Sequence, residues 1–449
     1  MNGNGGSAPL PLVALALLVV SSLPAQASTP LCIDGAPPNA WPSFRGSPDH
    51  TGCAASAPQP PFSLAWTFSP GGEPAMKTSV YMGSSPAVAD GRVFVGSGAG
   101  YVYALASASG KLEWEFQTGG MIFSSPSVHR GVVYVGSDDF RLYALNESTG
   151  SPVWKFSTLG AVRSSPVVVQ GSVYFGSDDG MVYDVNSTSG TALWRFKTDG
   201  VVRSSPTVVA GTLYVGSDDG YLYALSARDG SIAWKYWIGN RVWSTPAYAD
   251  GMVYVGSYTY SVYGVNATTG GLAWKFTTDQ YVRASPAAAY GRVYVGSVDT
   301  DLYALDARNG ALEWRTSNTE AYTSSSPLVS SGILYVATSL GTILAVNATD
   351  GRTLFAFRVG DLMHSSLAVA DGMLYASSRN NTVYAFAPGG SSQAGRTETS
   401  TATASSQEVP VTQTHPPAQN PATWQWIAIL SGIAVATAGV MILVRRKKA

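Results

Sequence analysis

Short apolar stretches, separated by polar turns, repeat along most of the chain. In one unit these stretches are 205–209, 212–215, 221–225 and 232–236, and they are rich in Val, Leu and Tyr. The residues between them include Gly, Asp and Ser, which favour tight reversals of the backbone. Segments of this length with β-branched and aromatic side chains, bounded by such turns, predict β-strands. The unit therefore predicts four antiparallel strands.

The same unit recurs at a fixed spacing. The triplet Ser-Ser-Pro, or a variant of it, ends at Pro86, Pro126, Pro166, Pro206, Pro246, Pro286, Pro327 and Leu367. Successive ends lie 40 residues apart, with one interval of 41. A period of about 40 residues with four strands per unit predicts the blades of a β-propeller.

A second column of the repeat contains aromatic rings in the fourth strand. The pattern Ala-x-Asn/Asp-x-x-Thr/Asp-Gly-x-x-x-Trp, with variants, leads to Trp114, Trp154, Trp194, Trp234, Trp274, Trp314 and, in the seventh copy, Phe355. It resembles the tryptophan-docking motif of the quinoprotein (pyrroloquinoline-quinone-type) propeller family, in which the ring of one blade packs against the next. The resemblance covers residues 41–388, and 41–46 is similar to the family's N-terminal segment.

The number of blades follows from the first and fourth strands. The chain has eight first-strand signals, but the last unit has no fourth strand after residue 386. Residues 65–68, with Trp66, match the fourth-strand pattern and precede every first strand. We therefore expect an all-β, eight-bladed propeller at 64–388, closed by an N-terminal strand that leaves no open sheet edge.

The two ends predict secretion and a membrane anchor. An apolar run followed by Ala25-Gln26-Ala27 is typical of a cleaved signal peptide at 1–27, although an uncleaved anchor remains open. Residues 424–444 are apolar and long enough for one transmembrane helix, and 445–449 form a basic cytoplasmic tail. Residues 28–63 form an N-terminal segment. Residues 389–423, rich in Ser, Thr and Pro, predict an extended stalk. The expected location is the cell membrane, single-pass, with the propeller outside the cytoplasm.

An extracytoplasmic location bears on the cysteines and on glycosylation. Cys32 and Cys53 are the only two cysteines, and in an oxidising compartment we expect them to form a disulfide, with two free thiols as the alternative. Possible glycosylation sequons begin at Asn146, Asn186, Asn266, Asn347 and Asn380. Four of these fall in one turn of the repeat, where Asn and Thr also suit the turn itself.

The quinoprotein resemblance implies oxidation of alcohols or sugars with a quinone and calcium. The chain, however, has no adjacent cysteine pair, no C-x-x-C-H haem motif and no H-E-x-x-H. The pairs Asp138-Asp139, Asp178-Asp179 and Asp218-Asp219 invite a calcium site, but they lie in Gly-Ser-Asp-Asp turns where Asp serves the backbone. We predict no enzyme activity, no cofactor and no metal, with a quinone-dependent dehydrogenase or quinone-binding protein as the alternative.

One column varies from blade to blade. Three residues before each triplet end, the chain has Gly83, Phe123, Arg163, Arg203, Trp243, Arg283, Ser324 and His364. The resemblance implies that the first strand is innermost, so this column is expected at the rim of a central funnel. Arg and aromatic residues are frequent in binding hot spots. We predict that Phe123, Arg163, Arg203, Trp243, Arg283 and His364 bind a ligand; a loop position that tolerates any residue is the alternative.

Charge and architecture narrow the function further. The formal net charge is −1, and no nucleic-acid motif is present, so no nucleic-acid partner is expected. We expect a binding or scaffolding module for a protein, glycan or envelope component. Its architecture is similar to that of the propeller lipoprotein that assists outer-membrane barrel assembly, but Cys32 is not in a lipobox. A purely structural envelope protein is a third alternative.

Overall fold

The strands of the first four blades follow the predicted repeat. The computed structural model describes residues 40–71, 83–316 and 325–389, and these contain β-strands and no helix. Each blade is a four-stranded antiparallel sheet in chain order. The strands are β3 Ala87–Ala89, β4 Arg92–Gly96, β5 Tyr101–Ala106 and β6 Leu112–Gln117; β7 Ser127–His129, β8 Val132–Ser137, β9 Arg141–Asn146 and β10 Pro152–Ser157; β11 Val167–Val169, β12 Ser172–Gly176, β13 Met181–Asn186 and β14 Ala192–Lys197; β15 Thr207–Val209, β16 Thr212–Gly216, β17 Tyr221–Ser226 and β18 Ile232–Trp237.

The remaining blades have the same order, with additions from the N-terminal segment. Their strands are β19 Ala247–Ala249, β20 Met252–Ser257, β21 Ser261–Asn266 and β22 Leu272–Thr277; β23 Ala287–Ala289, β24 Arg292–Gly296, β25 Leu302–Asp306 and β26 Leu312–Thr316; β27 Leu328–Ser330, β28 Ile333–Ala337, β29 Thr342–Asn347 and β30 Thr353–Arg358; β31 Ala368–Ala370, β32 Met373–Ser377 and β33 Val383–Pro388. The seventh sheet gains β1 (Cys53–Ala54), and the eighth gains β2 (Phe62–Phe68). The prediction of eight blades is confirmed.

The N-terminal strand closes the ring as the sequence predicted. Strand β2 pairs antiparallel with β33, and Trp66 lies opposite Ala385. The strand begins at Phe62, two residues before the predicted boundary of the propeller at residue 64. Because β2 supplies the fourth strand of the eighth blade, the two ends of the propeller sequence lie in one sheet.

Neighbouring blades are joined by the aromatic residues of the fourth strands. Each indole N–H donates a hydrogen bond to a backbone carbonyl of the next blade, at 2.8–3.1 Å, in the pairs Trp66–Ser107, Trp114–Glu147, Trp154–Ser187, Trp194–Ala227, Trp234–Ala267, Trp274–Ala307 and Trp314–Ala348. The turn Gly of that blade lies under the ring; a Cβ on Gly270 would come within 2.7 Å of Trp234. Phe355 has no N–H to donate and instead packs against Phe62 at 4.7 Å between centroids.

Residues 41–54 run along the inner strands of the ring. The backbone N–H groups of Val128, Val208, Tyr248, Ala288 and Val329 donate to carbonyls of this segment, and Trp41 forms a two-way bridge with Val88. Val88 and the five donors are each the middle residue of a first strand. At this inner edge of a sheet their N–H groups would otherwise be unpaired. The segment thus contributes edge pairing to blades 1, 2, 4, 5, 6 and 7.

Several predictions concern residues outside the described ranges. They are the signal peptide at 1–27, the stalk beyond Gly389, the helix at 424–444 and the tail at 445–449. All described residues belong to the unit 1–398, and the second unit is 399–449. Within the described ranges, no helix has the length and apolar character needed to cross a bilayer. Cys53 is disulfide-bonded, while Cys32, the other cysteine of the sequence, also lies outside these ranges.

Candidate functional site

A closed ring of hydroxyl groups surrounds the centre of the propeller. It consists of the second residue of each repeated triplet: Ser85, Ser125, Ser165, Ser205, Thr245, Ser285, Ser326 and Ser366. The backbone N–H of each donates to the hydroxyl oxygen of the next blade, at 2.9–3.3 Å, and Ser366 returns to Ser85. The triplet is therefore repeated because it links every blade to its neighbour. We call these eight residues the hydroxyl ring.

The variable column of the repeat converges just above this ring. One cavity of about 80 Å³ is lined by the hydroxyl ring together with Gly83, Phe123, Arg163, Arg203, Trp243, Arg283 and His364, and Phe44 from the N-terminal segment lies against it. All six residues predicted to bind a ligand thus lie around a single cavity, which we call the funnel. Ser324 falls outside the described residues.

The rim side chains are fixed by contacts with the preceding blade. The Nε and Nη2 of Arg163 donate to both carboxylate oxygens of Asp138, each at 2.9 Å. Arg203 binds Asp178 in the same way at 3.0 and 2.9 Å. Trp243 donates its indole N–H to Asp218, and Arg283 donates to the Tyr258 hydroxyl at 2.6 Å. Each partner precedes the rim residue by 25 positions, a relation that the sequence interpretation missed.

The second aspartate of each pair has a different role. The hydroxyl of Tyr183 donates to Asp179 at 2.8 Å, and the backbone N–H of Leu159, in the loop leading into that blade, donates to the same oxygen at 2.9 Å. Asp179 also accepts the N–H of Met181 within its own turn. Both aspartates are therefore used in protein contacts. Across the described ranges, no group of three or more His, Cys, Asp or Glu side chains is arranged to hold a metal ion.

Aromatic rings stack against the guanidinium groups of the funnel. Arg163 lies 5.1 Å from the centroid of Phe123, and Arg203 lies 5.2 Å from that of Trp243. Arg283 approaches Trp243, Tyr258 and Tyr281 at 5.4, 5.4 and 4.9 Å. Cation–π contacts of this kind favour a fixed position of the cation over the ring. The rim is therefore ordered before any ligand binds.

The cationic side chains that line the funnel are arginines, two of which are paired with aspartates just outside the lining. Burial, together with Arg379 and Arg283 nearby, lowers the pKa of His364 to about 4, so this imidazole is neutral. Hydrogen bonding to Asp178 raises the pKa of Arg203, and no acidic residue is among those that line the cavity. The charge of the lining therefore comes from three guanidinium groups.

A fourth guanidinium, that of Arg45, contacts the residues that follow the hydroxyl ring. Arg45 is buried, and its two terminal nitrogens donate to the carbonyls of Pro286 and Pro327, which directly follow two members of the hydroxyl ring. Burial lowers the pKa of Arg45 to about 9, which the nearby charge of Asp49 partly offsets. Arg45 adopts a φ of 64°, and its guanidinium covers Gly52 so closely that no side chain would fit there.

The loops that fix the rim also carry exposed apolar side chains. Phe140 follows Asp139 in its turn and is 49% exposed, and Tyr260, at the matching position in the fifth blade, is 45% exposed. Leu159 precedes Arg163 in its loop and is 89% exposed, while Trp237 precedes Trp243 and is 55% exposed. We call these four residues the apolar collar. Binding hot spots typically combine such apolar area with Arg.

Four of the five sequons begin at the end of a third strand, whereas Asn380 lies in the turn before β33. Asn146 accepts hydrogen bonds from the backbone N–H groups of Ser148 and Thr149, each at 3.0 Å, and Asn186 and Asn266 have the same arrangement. Asn suits the geometry of these turns, and Asp306 plays the same part in the sixth blade. Glycosylation at Asn146, Asn186, Asn266, Asn347 and Asn380 stays a prediction.

Solved structures with this architecture include both assembly factors and oxidoreductases. BamB from Moraxella catarrhalis is 19% identical, with a TM-score of 0.60, covering 73% of this chain and 99% of its own. The quinohemoprotein alcohol dehydrogenase from Comamonas testosteroni is 16% identical, with a TM-score of 0.66, covering 80% and 82%. A europium-containing methanol dehydrogenase is 14% identical, with a TM-score of 0.66, covering 78% and 98%. At these identities the likeness concerns the fold.

The family of the chain follows from the match across its repeats. No curated protein matches the sequence. The family described as outer membrane protein assembly factor BamB, whose unit is the PQQ-type repeat, matches at residues 63–180, 138–241, 238–329 and 317–413. These segments overlap and span the whole propeller and its closing strand. The chain belongs to this BamB-like family of PQQ-type propeller repeats.

Proposed function

We propose that the protein is a membrane-anchored, extracytoplasmic binding and scaffolding module that engages a protein, glycan or envelope component with its funnel face. The observation that carries the proposal is the convergence of the variable column on one cavity. Arg163, Arg203 and Trp243 come from three blades, and each is hydrogen-bonded to an aspartate. The exposed side chains of the apolar collar lie in nearby loops, turns and strand ends. A preordered, amphipathic face of this kind suits recognition, because little side-chain entropy is lost on binding.

A role of this type agrees with the description of the family as an assembly factor. An assembly factor holds other proteins without changing them chemically. The proposed C-terminal membrane helix would tether the propeller to the membrane. The specific role in assembling outer-membrane barrels does not follow, because it depends on a partner that the fold alone does not identify.

The alternative is a quinone-dependent dehydrogenase or a quinone-binding protein, and solved quinohemoproteins share the fold. The size of the funnel favours binding instead. Sites for organic ligands usually enclose about 300–1,000 Å³, whereas the funnel measures about 80 Å³.

Site-specific photocrosslinking tests the proposed face. A photoreactive phenylalanine analogue replaces Phe140 in the apolar collar, and in a second variant it replaces Val153 on the outer strand, which is 50% exposed. In cells that make the protein, we expect discrete crosslinked products from position 140 and far less from position 153. Products that arise only from position 153 would refute a role of the funnel face.

A separate experiment addresses the enzymatic alternative. The purified full-length chain is mixed with pyrroloquinoline quinone and Ca²⁺, and the absorbance of bound quinone and dye-linked oxidation of alcohols and sugars are measured. We expect neither. Saturable quinone binding with substrate oxidation would replace the binding module with an enzyme.

Removal of residues 424–449 should release the protein from the membrane fraction if that segment is the anchor.

A further inference from the structure

We propose that the funnel binds the carboxylate of an acidic side chain presented by a polypeptide partner. This inference rests on the proposed function, because it names the ligand chemistry of the same site. It follows from the kind of hydrogen-bonding groups around the cavity, from their charge, from the volume between them, and from the side chains on the surrounding loops.

The hydroxyl ring presents hydrogen-bond donors. Each hydroxyl oxygen already accepts one backbone N–H from the preceding blade, as Ser165 does from Ser125 at 3.0 Å. A hydroxyl group has one hydrogen of its own, which remains for a second partner. Since all eight residues line the cavity, their hydrogens are available to an acceptor placed there. A ring of donors selects a ligand that is rich in acceptor oxygens.

The guanidinium groups add charge to these donors. The bonds from Arg163 to Asp138 use two of the five N–H groups that a guanidinium carries, and Arg203 uses two toward Asp178. The others remain for an additional acceptor. The aspartates neutralise part of the charge, but they hold the guanidinium groups from the side and do not line the cavity. Charge-assisted bonds from Arg to carboxylate are short and strong.

The volume limits the ligand to a small group on a stem. The cavity of about 80 Å³ is well below the about 300–1,000 Å³ of sites that enclose whole organic ligands. A carboxylate with its adjoining methylene suits a cavity this small, whereas a sugar ring or an aromatic quinone needs more room. The remainder of the ligand must therefore lie outside, over the rim.

The apolar collar favours a polypeptide as the source of the carboxylate. Leu159 lies on the loop that leads to Arg163, and Trp237 ends strand β18, just before the loop that leads to Trp243. Apolar side chains that flank an Asp or Glu of a partner would bury these surfaces when the acid enters the funnel. An acidic oligosaccharide offers the carboxylate but not the aliphatic and aromatic side chains.

Matched peptide libraries test the inference. Two libraries of random heptapeptides, identical except for a central Glu or a central Gln, are selected on the immobilised full-length chain. We expect binders only from the Glu library, and replacement of that Glu by Gln in each binder should weaken binding at least tenfold. Glu and Gln have the same shape, so the difference reports the charge.

A paired substitution locates the binding. Arg203→Gln alone would remove the bidentate partner of Asp178, so Arg203→Gln is combined with Asp178→Asn, which keeps a neutral hydrogen-bonded pair. The control combines Arg292→Gln with Glu313→Gln, an ion pair between the second and fourth strands of the sixth blade. We expect the funnel variant to lose at least tenfold in affinity for the selected peptides and the control to retain it, with similar Tm values for both.

Each other result overturns the inference in a different way. Equal selection from the Gln library, or equal binding by the funnel variant, would mean that no carboxylate enters the funnel; crosslinking from position 140 would still support the funnel face. Binding of oligogalacturonate without any acidic peptide would replace the polypeptide with a glycan. If crosslinks arise only from position 153, the proposed function fails, whatever the libraries return.

Discussion

Replacement of Asp184 by Ala should stabilise the propeller at neutral pH. Asp184 lies in β13 opposite Trp194 and is only 2% exposed. One carboxylate oxygen accepts a hydrogen bond from Ser172 at 3.2 Å, and the other has no hydrogen-bond partner. The same position is Gly264 in the fifth blade and Ala in the six others, namely Ala104, Ala144, Ala224, Ala304, Ala345 and Ala385. The backbone at this position therefore accommodates a smaller residue.

The magnitude follows from the ionisation of this carboxyl. Burial raises its pKa from 3.8 to about 6. The folded state therefore binds the proton more tightly than the unfolded state, and stability falls as the pH rises from about 4 to about 6. At about 1.4 kcal/mol per pKa unit, the cost at neutral pH is about 3 kcal/mol. For a large domain this corresponds to a rise in Tm of about 6 °C for Asp184→Ala.

Thermal unfolding at two pH values tests the reasoning. We expect Asp184→Ala to exceed the natural chain in Tm at pH 7.5 and the difference to shrink at pH 4, where the carboxyl is protonated in the folded state and only partly ionised in the unfolded state. The reciprocal variant is Ala224→Asp, which places a carboxyl opposite Trp234 in the next blade, with Thr212 in the place of Ser172. It should lower Tm at pH 7.5 and recover at pH 4. A Tm difference independent of pH would refute the assignment.

Three further substitutions test how the blades are held together, each by thermal or urea unfolding. Gly270→Ala places a Cβ against Trp234 at a φ of 71°, whereas Gly251→Ala places one in open space at a φ of 76°. Gly251→Ala should lower the free energy of unfolding by about 1–2 kcal/mol through backbone strain alone. Gly270→Ala should lower it clearly more. Trp66→Phe removes the bond to Ser107 across the closure and should cost about 1 kcal/mol or more. Arg45→Met leaves two buried carbonyls without a donor and should cost about 2 kcal/mol or more; equal stability would mean that residues 41–54 do not hold the ring.

The fold was predictable because eight copies of one unit carry the same information. The triplet and the docking Trp recur wherever a contact between blades recurs, and the unpaired last unit, together with Trp66, predicted the closure. Residues 41–54 occur once, so the repeat gave no information about them. They were predicted only as part of an N-terminal segment. Their role depends on the inner strand edges, which exist only after the ring has closed.

The sequence predicted which residues line the candidate site but not the hydrogen bonds that hold them in place. The variable column was interpreted as free of the demands of the fold, because a structural position was expected to repeat one residue type. In the structure four of these side chains have a partner 25 residues earlier: Arg163, Arg203 and Trp243 bind Asp138, Asp178 and Asp218, and Arg283 binds Tyr258. The spacing between the two partners is therefore constant, although their residue types are not. Comparison of the two columns across the blades would have revealed it.

This pairing explains how one fold can carry a variable site. The hydroxyl ring and the docking Trp hold neighbouring blades together, and both lie in columns that repeat. The rim lies above them, so an exchange of an Arg–Asp pair for a Tyr–Arg pair changes the funnel and leaves the ring intact. Phe44, from the N-terminal segment, lines the funnel together with the hydroxyl ring and the rim. Under the proposed function, specificity resides in the rim residues that differ between blades, while stability resides in the columns that repeat.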